Sequence, residues 1–224
     1  NDDIAIITLG EDVPDGVEIY EFADQTMDGQ LLTMVGHGTS GDGINGDAIS
    51  PSFFTKRIGF NFAEIWDCDD GSSTVSSGGF FNSGACEANF GNEAEVWYAD
   101  YDGFDANGDF QNTWCDFFGI GCNEVWLGET FSQPYDFGTL FEANIGGGDS
   151  GGPSFVLNAI TGKFELIANN TFGAGDGSYG SWFGGNVYAG YKDFIALFVS
   201  APASLGILLA AFGAVALRRR KIAA

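Results

Sequence analysis

One serine of the sequence lies in a glycine-rich octapeptide, residues 146–153, which reads Gly-Gly-Gly-Asp-Ser-Gly-Gly-Pro. A nucleophilic serine needs a sharp turn that exposes its hydroxyl and directs backbone N–H groups at the oxyanion that develops during attack. Glycine allows both the unusual dihedral angles of such a turn and the close approach of a substrate. Ser150 is therefore a candidate nucleophile for acyl transfer. The alternative is a glycine-rich surface turn, a feature that is frequent in this chain.

Residues 148–153, Gly-Asp-Ser-Gly-Gly-Pro, resemble the nucleophile loop of the chymotrypsin-like (trypsin-like) serine proteases. The resemblance implies that Ser150 is the nucleophile and that the backbone amides of Gly148 and Ser150 form the oxyanion hole. It also implies that Asp149 orders the loop by pairing with the N-terminus that is released when a zymogen is activated.

The start of the chain is similar to a second motif of the same family. Asp3 precedes Ile-Ala-Ile-Ile-Thr-Leu, as the family's catalytic Asp precedes a buried apolar strand. The resemblance implies that Asp3 orients an imidazole whose other ring nitrogen takes the serine proton. An acid that caps the entry to a strand is the alternative interpretation of Asp3.

The histidine of the expected triad is missing from this sequence. The family order is His, Asp, Ser, whereas His37, the only histidine, follows Asp3. We therefore expect a structural or surface role for His37. We also expect the first barrel, with the histidine that acts as the base, to lie upstream of this fragment.

Further segments resemble the substrate-binding parts of the family. Thr171, Phe172 and Gly173 look like the strand that pairs with the substrate backbone, and residues 184–188 look like the strand that closes the specificity pocket. Asn144, six positions before Ser150, corresponds to the pocket floor. Because Asn144 is neutral, the resemblance does not support a preference for Lys or Arg.

Short strands and tight turns must position these residues, because the chain has 35 glycines and almost no long helical periodicity. Three runs are predicted as strands: residues 4–9, buried on both faces, residues 30–36, and residues 163–168 in a hairpin with residues 154–157. The sequence thus predicts an all-β body, either an antiparallel barrel or a sandwich. The resemblance implies a chymotrypsin-like double β-barrel, here the second barrel and the end of the first, with a C-terminal helix at residues 191–195.

The distance from Asp3 to Ser150 is longer than in small members of the family and implies an insertion, which we place at residues 66–123. It holds all four cysteines, for which an oxidising compartment allows three pairings. The pairing with the shortest loops is Cys68–Cys86 with Cys115–Cys122.

An acidic run inside the insertion, residues 100–109, places oxygen ligands at near-alternate positions, as calcium loops do. It lacks the bidentate Glu of an EF-hand, so we favour a solvated acidic turn and predict no cofactor. The weak calcium candidates are Asp102, Asp105, Asn107 and Asp109.

Charge divides the chain into two parts. The 31 acids outnumber the 8 basic residues, and four of those eight lie at residues 218–221. The remaining body repels phosphates and anionic headgroups, which excludes general nucleic-acid binding. A hydrophobic content of 45 % and an aromatic content of 15 % exclude a disordered acidic tail.

The C-terminal segment, residues 199–224, is predicted as a separate anchor. The stretch 194–217 has no charged residue and is long enough for a membrane helix, and the basic cluster after it predicts a cytoplasmic end. The segment resembles the PEP-CTERM sorting signal, although Ser200 and Ala201 stand where that motif has Pro-Glu. The resemblance implies an exosortase-type partner and export, with the body at residues 1–198 anchored or released at the cell surface.

Together, the motifs predict an exported serine endopeptidase that hydrolyses polypeptides through a Ser-His-Asp triad. The alternative is a non-catalytic surface or biofilm-matrix protein of the same fold, a pseudoprotease held by its C-terminal signal.

Overall fold

The computed structural model describes residues 3–23, 29–67, 94–119 and 142–199. Within these ranges the chain is mainly β-sheet, which confirms the all-β prediction. The strands are β1 (Gln30–Gly36), β2 (Ser40–Asp42), β3 (Gly46–Ile49), β4 (Arg57–Ala63), β5 (Ile65–Asp67), β6 (Val96–Asp100), β7 (Gly103–Phe104), β8 (Phe110–Gln111), β9 (Pro153–Leu157), β10 (Phe164–Asn169), β11 (Phe172–Ala174) and β12 (Trp182–Asn186). The helices are α1 (Thr113–Phe118), a 3-10 turn (Tyr188–Tyr191) and α2 (Lys192–Val199).

The strands form two four-stranded antiparallel sheets and two small hairpins. The first sheet has the order β10-β9-β1-β4 and the second has the order β11-β12-β6-β5. Strand β1 pairs with β4 along its whole length, from Gln30 opposite Ala63 to Gly36 opposite Arg57. On its other side β1 pairs with β9, and this places the strand that follows the serine loop in the middle of the sheet.

Two short connections carry the chain from the first sheet into the second. Glu64 alone separates β4 from β5, and Asn170 and Thr171 separate β10 from β11. These four strands are the outer strands of their sheets. The chain therefore joins the two sheets at both outer edges.

The main hydrophobic core is contributed by both sheets. Strand β1 buries three consecutive residues, of which Leu32 and Met34 lie on one face and belong to this core, while Thr33 between them is also buried. Trp97 of β6 and Phe183 of β12 are fully buried and meet edge to face, with ring centroids 5.7 Å apart. This edge-to-face geometry is favourable beyond the apolar area that it buries.

The strand predicted at residues 30–36 is confirmed by β1, and the predicted hairpin is confirmed by β9 and β10. Its turn is closed by Asn158, whose side chain accepts hydrogen bonds from the N–H groups of Ile160 and Thr161. The C-terminal helix expected at residues 191–195 is also found, as α2.

The prediction of a buried strand at residues 4–9 is wrong. The segment has no strand pairing, and its side chains Ile7 and Leu9 are 82 % and 60 % exposed. An apolar run becomes a buried strand only where a neighbouring strand pairs with its backbone groups. Within the described ranges, the first β-bridge along the chain is at Phe22, which pairs in parallel with Leu166 of β10.

The insertion expected at residues 66–123 contains β6, which lies between β5 and β12 in the second sheet. Cys115 lies in α1 and is disulfide-bonded. The other three cysteines lie outside the described residues, so the predicted pairing is not tested.

No helix in the part of the chain that the structure describes is long and apolar enough to cross a membrane. Strand-like and helical structure is described only up to Val199, where α2 ends. The basic cluster and most of the predicted anchor, residues 200–224, lie outside the described residues.

Candidate functional site

The glycine-rich loop before β9 presents Ser150 to solvent. Two positions beside the serine have positive backbone φ angles, Gly148 at 101° and Gly151 at 80°. Only glycine adopts such angles without strain, so the conformation of the loop depends on these two residues. The local sequence thus explains why the hydroxyl of Ser150 lies at the tip of a sharp turn.

Backbone hydrogen bonds hold the loop from two sides. The Gly151 N–H donates to the Asn170 carbonyl at 2.7 Å, and the Asn170 N–H donates to the Gly152 carbonyl at 2.8 Å. On the opposite side, the Thr39 N–H donates to the Gly147 carbonyl at 2.9 Å. The loop is therefore fixed between the β1–β2 connection and the β10–β11 connection.

The carboxylate of Asp149 lies against the β1–β2 connection. It accepts hydrogen bonds from the backbone N–H of Gly38 at 2.5 Å and of Gly146 at 2.9 Å. A Cβ atom added at Gly36 or Gly38 would overlap this carboxylate. Because the two glycines around His37 have no side chains, they leave room for the Asp149 carboxylate that anchors the serine loop.

Ser150 lies at the wall of a cavity of about 180 Å³, which we call the Ser150 cavity. The structure brings together here Asn144, Thr171, Phe172 and Gly173, which the sequence predicted for substrate binding, whereas residues 184–188 do not line this cavity. The cavity is also lined by Gly146, Gly147, Ala174 and Trp182. Its lining includes the polar side chains of Ser150 and Asn144 and the aromatic side chains of Phe172 and Trp182.

The segment at Thr171 is held in place by β12. The Thr171 N–H donates to the Gly184 carbonyl at 3.0 Å, and its hydroxyl donates to the Asn169 side chain at 3.2 Å. Gly184 has no room for a side chain, because Phe172 and the Trp97 carbonyl occupy the space of a Cβ atom. This glycine therefore allows the Phe172 ring to pack closely against β12.

Asp3 is not brought to this site. It is exposed, has a φ angle of 31°, and lines neither of the two cavities described here. The pairing of Asp3 with an imidazole stays a prediction from the resemblance.

His37 is half-buried, and its Nδ1 atom lies 3.3 Å from the Ser52 carbonyl oxygen. The Ser52 N–H in turn donates to the His37 carbonyl at 3.0 Å. The ring lines neither the Ser150 cavity nor its neighbour. His37 is therefore bound to the segment after β3 rather than directed at Ser150.

A second cavity of about 240 Å³, the Asp149 cavity, shares Asn144 and Asp47 with the first. Arg57 lines only this second cavity, and its Nη1 donates to the Gly38 carbonyl at 3.0 Å. Asp47 and Arg57 were not predicted from the sequence. Neither belongs to a motif. Asp47 is held by its backbone hydrogen bond to the Asp176 carbonyl, and Arg57 by the pairing of β4 with β1.

Two of the four calcium candidates, Asp102 and Asp105, accept hydrogen bonds from other groups of the protein. Asp102 is only 2 % exposed and accepts a hydrogen bond from the Asn112 side chain at 3.0 Å. Asp105 accepts hydrogen bonds from the N–H groups of Asp109 and Asn107, and these bonds, that of Asp109 most, lower the pKa of its carboxyl. Among the described residues no group of three or more His, Cys, Asp or Glu side chains could hold a metal ion.

A group of buried carboxyls lies next to these residues, at the crossing of β4, β5 and β6. Asp100 is 1 % exposed, and its carboxyl forms hydrogen bonds with the carboxyls of Glu64 and Asp102. Burial raises the pKa of Asp100, against the opposing effect of these hydrogen bonds and of the one from the Trp114 N–H. The Asp100 carboxyl therefore retains its proton above its usual pKa.

Comparison with models of known protein families gives no match. Comparison with curated proteins likewise gives no relative of this chain.

Proposed function

We propose that this chain is the nucleophile-bearing part of an exported serine endopeptidase of the chymotrypsin fold. The observation that carries the proposal is the position of Ser150, at an exposed turn on the wall of a cavity that Asn144, Thr171, Phe172 and Gly173 also line. The cavity offers space for a substrate side chain beside the nucleophile. Residues 171–173 offer an extended backbone along which a peptide can pair.

The fold part of the proposal is that the two sheets make one six-stranded barrel, the second barrel of the family. The pairing of the strands supports this proposal. If β4 and β5 count as one strand, and β10 and β11 as another, then each strand pairs with the next in the closed order β9, β1, β4, β6, β12 and β10. Such closure leaves no unpaired sheet edge. The serine loop and the cavity would then lie at one end of this barrel.

In the proposed reaction the Ser150 hydroxyl attacks the carbonyl carbon of the scissile peptide bond. Its proton passes to the imidazole of a histidine upstream of Asp3, and that imidazole then protonates the amine as the C–N bond breaks. Water hydrolyses the resulting ester by the same route. The N–H groups of Gly148 and Ser150 stabilise the oxyanion, and Asp3 orients the imidazole.

The acidic body is proposed to work outside the cytoplasm. The disulfide at Cys115 supports this, because disulfides persist in oxidising compartments. The C-terminal segment would hold the protein at the membrane until an exosortase-type enzyme releases it.

A fluorophosphonate probe tests the proposal in the full-length protein. We expect covalent labelling at Ser150, which peptide mapping locates, and its complete loss in Ser150→Ala. The matched control is Ser50→Ala, since Ser50 is exposed and lines neither cavity. If the folded wild-type protein is not labelled, the proposal is wrong.

The second candidate is a non-catalytic surface protein of the same fold. The observation that favours it is His37, the only imidazole of the chain, which contacts Ser52 and lines no cavity with Ser150. This candidate predicts a folded, exported protein in which the probe leaves Ser150 unmodified. The same labelling experiment therefore separates the two functions.

A further inference from the structure

We propose that Tyr179 is a positioning residue, which holds the β11–β12 loop, residues 175–181, as a fixed wall of the Ser150 cavity. The inference deepens the proposed function and rests on it, because the wall matters for a substrate that occupies this cavity. Gly175 and Gly177 of the loop line the cavity, whereas Tyr179 does not. Tyr179 therefore acts on a substrate only through the position of the loop.

The β11–β12 loop needs contacts from outside itself to keep one conformation. Three of its seven residues are glycines, and all three have positive φ angles. Fixing glycine backbone costs more conformational entropy than fixing any other residue. Within the loop, the Asp176 carboxylate accepts hydrogen bonds from the N–H and the hydroxyl of Ser178, two residues away. Such short-range contacts shape the turn, but they do not attach it to the rest of the protein.

The Tyr179 ring supplies an attachment, because it fills a slot between two other loops. A Cβ atom added at Gly43, in the β2–β3 turn, would lie 2.2 Å from the ring, and so would one added at Gly103, where β7 begins. The ring of Tyr101 lies beside the same slot, with its centroid 4.7 Å from that of Tyr179. The two glycines therefore create the space in which the Tyr179 ring packs.

Hydrogen bonds fix the same point of the loop. The Tyr179 N–H donates to the Gly43 carbonyl at 2.7 Å, and the Gly180 N–H donates to the Tyr101 carbonyl at 2.8 Å. The Thr113 hydroxyl donates to the Gly180 carbonyl at 2.6 Å. The hydroxyls of Tyr101 and Tyr179 also share a hydrogen bond, and burial, together with the neighbouring Tyr179, raises the pKa of Tyr101. The Tyr101 phenol therefore stays neutral, and the two rings pack without charge repulsion.

The attachment at Tyr179 lies two residues from Gly177, which lines the cavity. A further contact joins this part of the loop to β3, since the Asp47 N–H donates to the Asp176 carbonyl at 2.8 Å. Without the Tyr179 ring, the slot is empty and the loop can move at Gly177. A ligand would then have to order the wall before it gains from contacts with it, and this cost lowers its affinity.

Hydrogen exchange tests the positioning role in the full chain and needs no catalysis. We expect Tyr179→Ala to speed amide exchange in the β11–β12 loop about ten-fold or more, because the ring pair and its buried area are lost. Tyr179→Phe keeps the ring in the slot and should stay close to wild type. Tyr20→Ala is the matched control, since the Tyr20 ring also lies 4.7 Å from an aromatic partner, Phe155, and lines neither cavity.

Two phosphonate probes that differ only in a benzyl or a methyl side chain test the effect on the site. We expect Tyr179→Ala to slow labelling of Ser150 by the benzyl probe about five-fold and by the methyl probe less than about two-fold, because only the benzyl group uses the wall. Tyr179→Phe should preserve both rates. A general loss of stability would slow both probes equally, so the ratio of the two rates reports positioning. Circular dichroism verifies that each variant is folded.

Equal loop exchange in Tyr179→Ala and Tyr20→Ala overturns the inference, as does an unchanged ratio of the probe rates. Unprotected amides of Tyr179 and Gly180 in the wild type overturn it as well. Should Tyr179→Ala not fold, Gly103→Ala takes its place, because its Cβ would displace the ring, with Gly10→Ala, whose Cβ would have no atom within 4 Å, as control.

The two proposals can fail separately. A folded wild-type protein that neither probe labels rejects the protease, and loop exchange alone then decides the role of Tyr179. Labelling of the wild type together with unchanged loop exchange in Tyr179→Ala rejects the positioning role alone.

Discussion

The carboxylate of Asp149 accepts a hydrogen bond from the backbone N–H of Gly38, which lies 111 residues earlier in the chain. This one contact fastens the serine loop to the end of β1. Because Ser150 is the next residue, any shift of Asp149 also moves the hydroxyl that faces the cavity. The conformation of the candidate nucleophile therefore depends on a glycine from a distant connection.

Gly38→Ala tests this dependence. Its Cβ would lie 2.5 Å from the Asp149 Cγ atom, so we expect a loss of stability of about 1–3 kcal/mol and slower labelling of Ser150. Urea unfolding and the labelling rate measure the two effects. Gly147→Ala is the stability control, because its Cβ would have no atom within 4 Å. Equal stability of Gly38→Ala and wild type would contradict the proposed anchoring.

Ser154→Ala tests whether the serine four residues after Ser150 has a structural role rather than a chemical one. Ser154 is fully buried, and its hydroxyl donates to the Asn170 side chain at 2.7 Å. Removal of this donor should cost about 1–3 kcal/mol in urea unfolding, because the acceptor stays buried. Labelling by fluorophosphonate should persist in the folded variant. Loss of the label in a folded Ser154→Ala protein would mean that the modified serine is not Ser150.

The buried carboxyl of Asp100 predicts a pH-dependent stability. Its folded pKa is raised by burial above the ordinary 3.8, so between the two values the native state holds a proton that the unfolded state has released. Stability must then fall as the pH rises through this window. Asp100→Asn, which mimics the protonated group, should flatten the fall and gain stability relative to wild type at neutral pH. Urea unfolding from pH 4 to pH 8 measures this, and a larger loss for Asp100→Asn at neutral than at acidic pH would contradict it.

The contact of Trp97 with Phe183 predicts a large packing effect. Both side chains are fully buried, so Phe183→Ala should lower the free energy of unfolding by about 3–5 kcal/mol through lost contacts and a cavity. Phe54→Ala is the matched control, because Phe54 is fully exposed and should change stability by less than about 0.5 kcal/mol. Thermal unfolding monitored by tryptophan fluorescence compares the two, and similar midpoints would rule out a shared core at this contact.

Local sequence was sufficient to predict strands whose pairing partner is close in the chain or whose apolar run is long. Strand β1 matches the apolar run at residues 30–36, and β9 and β10 form the hairpin predicted from residues 154–157 and 163–168. The same reasoning failed for residues 4–9. Their composition is equally apolar, yet no strand of the described chain pairs with them, and pairing is not encoded in the run itself.

The residues of the candidate site also fall into those that local sequence predicts and those that it does not. The loop conformation around Ser150 follows from its own glycines, because positive φ angles are a local property of Gly148 and Gly151. Asn144 and residues 171–173 were found through a resemblance that preserves their distance from the serine. Asp47 and Arg57 belong to no motif, so their presence at the two cavities could not be predicted.

By itself the sequence determined the all-β class, the strand of β1, the β9–β10 hairpin and the sharp turn that exposes Ser150. These depend on alternation, turn residues and backbone freedom, all of which act between neighbours in the chain. Only the tertiary structure decided that Asp149 anchors at Gly38 and that Asp47 lines the cavity beside Ser150. Such contacts arise from the register between distant strands, which the packing of the whole core selects.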